Sequence, residues 1–322
     1  MKQIGVLTSG GDCPGLNACL RAVVRTALAS GLKVLGIRHG YEGLMTGEVF
    51  PLDHSSVSGI INRGGTFLHT ARSENFTTRK GMEQACAVLA EYKIEGLVIL
   101  GGNGSLSGAW ELAQKTRARI LGIPKSIDND VGGTDFSIGF DTAVNTAVEV
   151  IDKIRDTATS HDRLFLVETM GRKHGFLALA TALAAGAEAV LLPETATEIA
   201  ALCEKLDRGR RHGKVSSIVV VAEGDEQGGA MEIAKKLKRC SDYDIRVSII
   251  GHQQRGGAPS AFDRILASQL GNAAVEALLQ GKRSKVVGIQ RGKIVLSPLA
   301  TAFRSKRPLD PSLLRLSEIL SR

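Results

Sequence analysis

Residues 1–17 read MKQIGVLTSGGDCPGLN, and this stretch decides the fold. Residues 4–7 are a short continuous apolar run, the pattern of a strand buried on both faces. The run ends in Thr8-Ser9-Gly10-Gly11-Asp12, and an amphipathic helix then opens at Asn17 and continues to Ala29. Strand, glycine turn and helix in that order begin a βαβ unit. The same pattern recurs along the chain. Residues 33–37, 96–100, 120–123, 164–167, 189–192, 217–221 and 246–250 read as further buried strands, and residues 82–92 and 142–155 as helices between them. The alternation predicts an α/β fold of two doubly wound, mostly parallel-sheet, Rossmann-like domains. A length of 322 residues suits two domains at about 100–200 residues each. The turn-rich stretch 128–139 runs into a long helix, so a boundary is expected near residues 139–141.

Composition removes several function classes. Hydrophobic residues are 43% and charged residues 23% of the chain, too apolar for a disordered segment. The apolar stretch 176–192 carries Thr181 and Glu188, breaks at Gly186, and is shorter than the roughly 20 residues a membrane span needs. The first residues read as a strand and not as a signal peptide. The formal charge is +8, but the basic residues are scattered and no aromatic strip accompanies them, which argues against nucleic acid and for small phosphorylated ligands. The five cysteines, Cys13, Cys19, Cys86, Cys203 and Cys240, are odd in number and irregularly spaced. They fit neither a disulfide framework nor a metal pair, so a reducing cytoplasm is expected. The chain shows no repeat, low-complexity tract or long linker.

Ligands of doubly wound sheets bind beyond the carboxyl ends of the strands. Here six strand ends carry glycine and polar residues: TSGGD at 8–12, GGNGS at 101–105, PKSIDND at 124–130, ETMGR at 168–172, AEG at 222–224 and GHQQRGG at 251–257. Glycines 10 and 11 let backbone N–H groups approach a phosphate, and the following helix N-terminus adds positive partial charge. Taken alone, that turn is equally a tight β–α connection needing positive φ. GGNGS repeats the design, with Gly104 clearing space and Ser105 able to cap a helix or bond a phosphate. Neither GxGxxG nor GxxxxGK[ST] is present, so a dinucleotide fold and a P-loop are not indicated.

PKSIDND is the chemical centre. Asp128 and Asp130 stand two apart beside Lys125 and Ser126, suiting a carboxylate that accepts a hydroxyl proton and oxygens that hold Mg²⁺. The alternative is an Asx-rich turn. Arg72, Arg163, Arg172, Arg246 and Arg255 follow the same map and suit phosphate oxygens, although each singly fits a surface ion pair. His252 fits a site or a core histidine equally. Glu223 fits a helix cap or an acceptor for sugar hydroxyls.

Together these motifs resemble the bacterial-type 6-phosphofructokinase family along essentially the whole chain: SGGDCPGLN, NRGGTFLHTAR, GGNGS, PKSIDND, GTDFSIGFDTA, SHDR, MGR, AEG and GHQQRGG. The resemblance implies ATP-dependent phosphoryl transfer to the 1-hydroxyl of fructose 6-phosphate, with Mg²⁺, in a cytoplasmic homotetramer of glycolysis whose active sites are shared between subunits. It implies a donor domain, 1–139 completed by 256–306, and a fructose 6-phosphate domain, 140–255 completed by 307–322. By position, Asp128 looks like the general base and Arg172 the stabiliser of the transferring group. Arg72 lies at the donor, and Ser126 contacts the transferred phosphate. Gly11, Tyr41, Arg72, Ser73, Gly102, Asn103, Gly104 and Ser105 fall on the ATP site, with Tyr41 packing on adenine. Ser126, Asp128, Arg163, Met170, Gly171, Arg172, Glu223, Arg246, His252 and Arg255 fall on the sugar-phosphate site, Arg163 and Arg246 reaching it from a neighbouring subunit. Asn103 and Asp130 are the expected metal ligands. Arg21, Arg25, Arg155, Glu188 and Lys214 match an effector site for ADP or phosphoenolpyruvate.

The departures concern the donor and the effector. Asn103 stands where the family usually has Asp, and Lys125 where bacterial ATP enzymes have Gly and pyrophosphate enzymes have Lys. Gly104 is the ATP-type residue. Thr77 and Met82 replace arginines near the nucleotide. A pyrophosphate-dependent phosphofructokinase and a weakly catalytic regulatory paralogue are therefore the alternatives. His54, Gly59 and Val215 replace charged residues at the effector site, which predicts altered or weak allostery.

Overall fold

In the computed structural model the described residues are 1–160, 163–214, 216–305 and 307–321; His161, Asp162, Val215, Lys306 and Arg322 lie outside them. The chain opens β1 (Gln3–Thr8), α1 (Leu16–Ala29), β2 (Lys33–Ile37), α2 (Gly40–Thr46), β3 (Val49–Leu52), α3 (Arg79–Glu91), β4 (Gly96–Gly101), α4 (Asn103–Lys115) and β5 (Arg119–Pro124). It continues α5 (Phe140–Thr159), β6 (Leu164–Thr169), α6 (Phe176–Ala185), β7 (Ala189–Leu191), α7 (Ile199–Arg211), β8 (Ser217–Ala222), α8 (Ala230–Leu237) and β9 (Ile245–Ile249). It closes α9 (Ala261–Leu279), β10 (Lys285–Gln290), β11 (Lys293–Pro298), α10 (Thr301–Arg304) and α11 (Pro311–Leu320).

Among the described residues the strands form a seven-stranded sheet, β11-β10-β5-β4-β1-β2-β3, and a four-stranded one, β7-β8-β6-β9. All pairs are parallel except β2–β3 and β10–β11. Contacts divide the chain into one unit of Met1–Thr142 with Arg255–Arg307 and a second of Ala143–Gln254 with Pro308–Arg322.

β1 shows why a continuous apolar run makes a central strand. Ile4 pairs with Val34 on one side and Gly96 on the other, so both edges are hydrogen-bonded. Helices on both faces leave Ile4, Val6 and Leu7 fully buried. α1 packs against α9, where Gly271 permits the approach: a Cβ there would stand 2.8 Å from the Cys19 carbonyl oxygen. In the second unit β6 lies between β8 and β9, and Leu164, Leu166, Val219 and Val221 fill its core with Leu202, Leu206 and Ile233.

Three strands were not read from the sequence. β3 is four residues long and contains Pro51, which is tolerated because it lies on an antiparallel edge. β10 and β11 form a hairpin turned by Arg291 and Gly292, both at positive φ, 50° and 74°. The apolar stretch at 176–192 divides into the ten-residue α6, stopped by Gly186 in the left-handed region, and the short strand β7. No described helix is long and apolar enough to cross a membrane. One expectation is corrected: Cys203 and Cys240 form a disulfide. Their separation of 37 residues announces nothing, because folding of α7 beside α8 brings them together. The cysteines therefore no longer argue for a reducing compartment.

Candidate active site

The seven-stranded sheet reverses its winding between β1 and β4. From β1 the chain steps outward to β2 and β3, whereas β4 leads to β5 on the other side. Such a switch point opens a crevice at the carboxyl ends of its strands. The loops there are TSGGD after β1, GGNGS after β4 and PKSIDND after β5.

These loops are tied into one cradle. Ser105 Oγ donates to Ser9 Oγ at 2.9 Å and Thr70 Oγ1 to the Gly10 carbonyl at 2.7 Å. Lys125 Nζ, on a residue only 4% exposed, donates to the Gly11 carbonyl. Arg255 Nη1 donates to the Asp12 carbonyl at 3.1 Å. Gly10 has φ 84°, the backbone that its turn requires. At the start of α4 the cap residue, Gly102, offers no side-chain bond, and a Cβ at Gly104 would meet nothing within 4 Å. The start of α4 thus has no side-chain cap and has room beside Gly104, a helix N-terminus of the kind that favours anions. Cys13 adds no thiolate chemistry to this loop: burial pushes its thiol up to about 12.

The carboxylates stand beside this cradle. Asn129, at φ 51°, takes the turn conformation and is pinned by Ser137 N–H (2.8 Å) and by its own bond to the Asp135 carbonyl (3.2 Å). The turn is therefore not an Asx turn: Ser126 Oγ accepts from the Asp128 N–H, a serine turn, and the Asn129 side chain ties it to residues 135–137. Asp128 is 4% exposed, and its N–H bonds Ser126 Oγ at 3.2 Å. Asp130 Oδ1 accepts from Ser126 Oγ at 2.8 Å, and Oδ2 from Asn103 Nδ2 at 2.7 Å. Asn103 Oδ1 is buried with no hydrogen-bond partner. An orphaned amide oxygen beside a carboxylate suits a hard cation, and Mg²⁺ takes one or two protein oxygens together with phosphate oxygens and water. Among the described residues no three His, Cys, Asp or Glu side chains cluster as a closed metal site.

Arg72 and Ser73 lie on the loop that follows residues 63–70. Asn17 holds that loop by donating to the Arg63 and Gly64 carbonyls, both at 3.2 Å, and accepting from Phe67 N–H at 2.9 Å. Arg72 is exposed. Ser73 Oγ accepts from Phe76 N–H at 3.2 Å. Tyr41 is a core residue: it is 5% exposed, stacks on Phe76 at 3.8 Å, and donates its hydroxyl to the Ser105 carbonyl at 2.5 Å. Burial, with the charge of Glu111 adding to it, raises its phenol and keeps it protonated.

In the second unit the loops after β6, β8 and β9 carry Met170, Gly171, Arg172, Glu223 and His252. Arg163 precedes β6 and Arg246 stands at the start of β9, so these two arginines lie at the amino ends of their strands and do not follow the carboxyl-end pattern expected of them. Gly171 has φ 142°, and a Cβ there would stand 2.5 Å from the His174 carbonyl oxygen. Arg172 follows at φ 53°, an uncommon conformation for a side-chain-bearing residue. Its N–H is held by Glu223 Oε1 at 2.7 Å, so Glu223 is not a helix cap. The Met170 N–H is held by Gln254 Oε1 at 2.8 Å. His252 is exposed and is not a core histidine. Arg163 and Arg246 bond the same atom, Asp244 Oδ2, at 2.9 and 3.0 Å.

The matched effector residues are partly engaged. Arg155 donates to the carbonyls of Ala185 (2.5 Å) and Gly186 (3.2 Å), complementing the negative end of α6. Glu188 Oε2 accepts from Ile218 N–H at 2.6 Å. Arg21 and Arg25 lie one turn apart on α1, and Arg25 Nε is buried without a partner among the described residues. Lys214 is exposed, as are His54 and Gly59.

Two supporting residues escaped the sequence reading. Gln254 is fully buried and ties Met170 to the Ala143 carbonyl. Asp263 is also fully buried and accepts from Gly139 N–H (2.9 Å), Thr142 N–H (2.8 Å) and Thr142 Oγ1 (2.5 Å), capping the start of α5. Its burial raises the carboxyl above the ordinary range against those bonds. The signal for Asp263 was present: Ser260 caps α9 by accepting from Asp263 N–H, the S-x-x-D spacing of a capping box.

Comparison with known proteins agrees with this arrangement. The family model for phosphofructokinase matches residues 3–278. The ATP-dependent 6-phosphofructokinase 1 of Thermus thermophilus is 51% identical over 321 residues, covering 100% of both chains. The ATP-dependent 6-phosphofructokinase 2 of Bacteroides thetaiotaomicron is 50% identical, covering 100% of this chain and 99% of its own. The solved structure of phosphofructokinase from Saccharomyces cerevisiae superimposes with a TM-score of 0.87 at 36% identity, over 99% of this chain and 46% of that one. A match to the family model from β1 into α9, joined to full-length relatives at half identity, shows that the chain belongs to the phosphofructokinase family.

Proposed function

We infer that this protein is an ATP-dependent 6-phosphofructokinase, transferring the terminal phosphoryl group of ATP to the 1-hydroxyl of fructose 6-phosphate. The observation that carries the choice of donor is the start of α4, which has no side-chain cap and has open space beside Gly104. A nucleotide polyphosphate needs that space, and an acidic side chain would close it. The full-length relatives bear the same activity in their names.

In this reading the first unit holds the donor and the second the acceptor. Asp128 takes the proton of the sugar hydroxyl as the new P–O bond forms; its near-complete burial supports a carboxylate held ready for that proton. Ser126, Gly11, Ser73, Gly102 and Ser105 bind phosphate oxygens through hydroxyls and backbone N–H groups. Arg72 and Arg172 offset the charge of the transferring group, and the backbone of Arg172 is already fixed by Glu223. Tyr41 supports the nucleotide site from the core by holding the Ser105 carbonyl. Asn103 Oδ1 and Asp130 would hold Mg²⁺, which when bound supplies neutralisation of donor phosphate charge. Met170, Gly171, Glu223, His252 and Arg255 bind the sugar phosphate, with Arg163 and Arg246 serving it from a neighbouring subunit in a homotetramer. A cytoplasmic location belongs to the same reading, since both substrates are charged phosphate esters retained where they are made. Arg155 and Glu188 already have backbone partners, which supports weak effector control.

The test is formation of fructose 1,6-bisphosphate by purified protein with Mg²⁺ and fructose 6-phosphate, comparing ATP, ADP and pyrophosphate. Turnover with ATP is expected. Turnover with pyrophosphate alone would assign the donor to the chemistry that Lys125 favours. Silence with all three, with the sugar phosphate still binding, would mark a regulatory subunit.

A further inference from the structure

Arg163 and Arg246 are far apart in sequence, yet one carboxylate holds both. The sheet explains how. In the β6–β9 pairing Leu164 lies opposite Ile245 and Phe165 opposite Arg246, so Arg163 falls opposite Asp244. Residues two apart along a strand share a face, so Asp244 has Arg163 across from it and Arg246 beside it. Asp244 Oδ2 accepts from Arg163 Nε at 2.9 Å and from Arg246 Nη2 at 3.0 Å. Two guanidinium charges against one carboxylate leave the cluster net positive. Among the described residues Arg163 bonds an acid through Nε alone, which keeps both of its terminal nitrogens for another acceptor. The carboxyl of Asp244 is held below its usual range chiefly by the Arg163 bond, so it stays ionised.

The backbone beneath this carboxylate is tied into the fold, while among the described residues the carboxylate itself bonds the two arginines. The Leu164 N–H bonds the Asp244 carbonyl at 3.2 Å. One residue earlier, the Tyr243 hydroxyl donates to the Leu206 carbonyl at 2.9 Å, and Arg210 covers its ring at 5.3 Å. Upstream, the Cys203–Cys240 disulfide joins the same segment to α7. The Arg246 side chain is 52% exposed, that of Asp244 49% and that of Arg163 25%, and the two arginines are the rotamer-rich partners. A short carboxylate side chain on an anchored backbone, holding two long guanidinium side chains together, lowers the ordering cost of their binding a phosphate.

We propose that Asp244 is a positioning residue for the sugar phosphate: it presents the guanidinium groups of Arg163 and Arg246 together to a phosphate dianion. The proposal rests on the reading that those arginines bind fructose 6-phosphate. Because the pairs are partly exposed, the expected effect is modest. Asp244→Ala should raise half-saturating fructose 6-phosphate by about three- to tenfold, with kcat and KM for ATP changed less than about twofold. Asp244→Glu, which retains the carboxylate, should recover part of the loss. Asp244→Asn, the isosteric variant, covers the case in which the alanine variant does not fold. In an Arg163→Ala/Arg246→Ala background, Asp244→Ala should add no further loss. If the arginine variants raise half-saturating sugar phosphate and Asp244→Ala and Asp244→Asn do not, or lower it, the positioning role is overturned while the site reading stands. If the arginine variants have no effect either, the site reading falls and takes the proposal with it.

Discussion

Asn103→Asp is the substitution that most directly probes how this donor site manages charge. Asn103 Nδ2 now donates to Asp130 Oδ2 at 2.7 Å and to the Asp130 carbonyl at 3.3 Å. Aspartate removes both donors and sets two carboxylates against each other. Two unit charges at the present 2.7 Å repel by roughly 1.5 kcal/mol in bulk water and by about 6 kcal/mol at an effective dielectric of 20. Relaxation will widen the gap, so a loss of about 1–3 kcal/mol in metal-free stability is expected, including the forfeited hydrogen bonds. A divalent cation reverses the sign, because each carboxylate is then attracted to a double charge. The variant should therefore melt several degrees below the parent in EDTA, recover in millimolar Mg²⁺, and show a larger Mg²⁺-dependent shift than the parent. Differential scanning fluorimetry across a Mg²⁺ series reads this without turnover. Equal melting temperatures in EDTA, or an unchanged Mg²⁺ response, would refute both the Asn103–Asp130 pairing as the source of metal-free stability and its place in the metal site.

Four other outcomes follow from the same geometry. Asp128→Ser should lower kcat by about 10²–10⁴-fold with little change in affinity for fructose 6-phosphate, since the group acts mainly in the transition state; a near-normal kcat would remove it as the base. Gly104→Asp should keep or slightly raise the melting temperature, because the Cβ meets nothing and an acid in the first turn of α4 suits the helix dipole. Its KM for ATP should rise at least about tenfold as the side chain fills the nucleotide space, and an unchanged KM would show that this space is not used. Reduction of the disulfide, or Cys203→Ser, should cost roughly 3–4 kcal/mol from chain entropy alone for a closed loop of this 37-residue separation, read as a reductant-sensitive melting temperature; insensitivity would mean the bond does not constrain the unfolded chain. Phosphoenolpyruvate should inhibit weakly, with a Hill coefficient near one, and strong sigmoidal inhibition would refute the weakening of effector control.

What the sequence could and could not reveal follows from whether an interaction is local. Strands such as β1 and β8 were legible because burial on two faces imposes a continuous apolar run, and no other element of that length needs one. β3 and β11 were not, since both are edge strands whose residues are mostly unburied and mixed, whereas the edge strands β7 and β9 keep enough apolar residues to read as strands. Interior β10 carries an apolar run at Val286-Val287 and was overlooked. At the site, motif residues were legible where the chemistry constrains neighbours in the chain: Gly10 with Gly11, Ser126 with Asp128 and Asp130. Tyr41 was read as a ligand-facing aromatic, yet its ring is spent on Phe76 and its hydroxyl on Ser105. Nothing in the order of residues says that positions 41, 76 and 105 meet.

The same limit explains the supporting residues. Gln254, Asp263 and Asp244 each hold partners that are distant in sequence: Met170, Thr142 and Arg163. A sequence pattern reports which atoms must lie within one turn or one strand of each other. It cannot report which carboxylate the sheet register will place opposite an arginine 81 residues away. Asp244 was passed over for that reason, although Asp244-Ile245-Arg246 already carries the two-residue spacing that puts charge and counter-charge on one face of a strand. Only once β6 is known to pair with β9 does Arg163 join them, and an ordinary surface acid becomes the shared anchor of two cations. Residues that position others are therefore the class that sequence motifs miss and structure supplies, because their function is defined by a register and not by a neighbour.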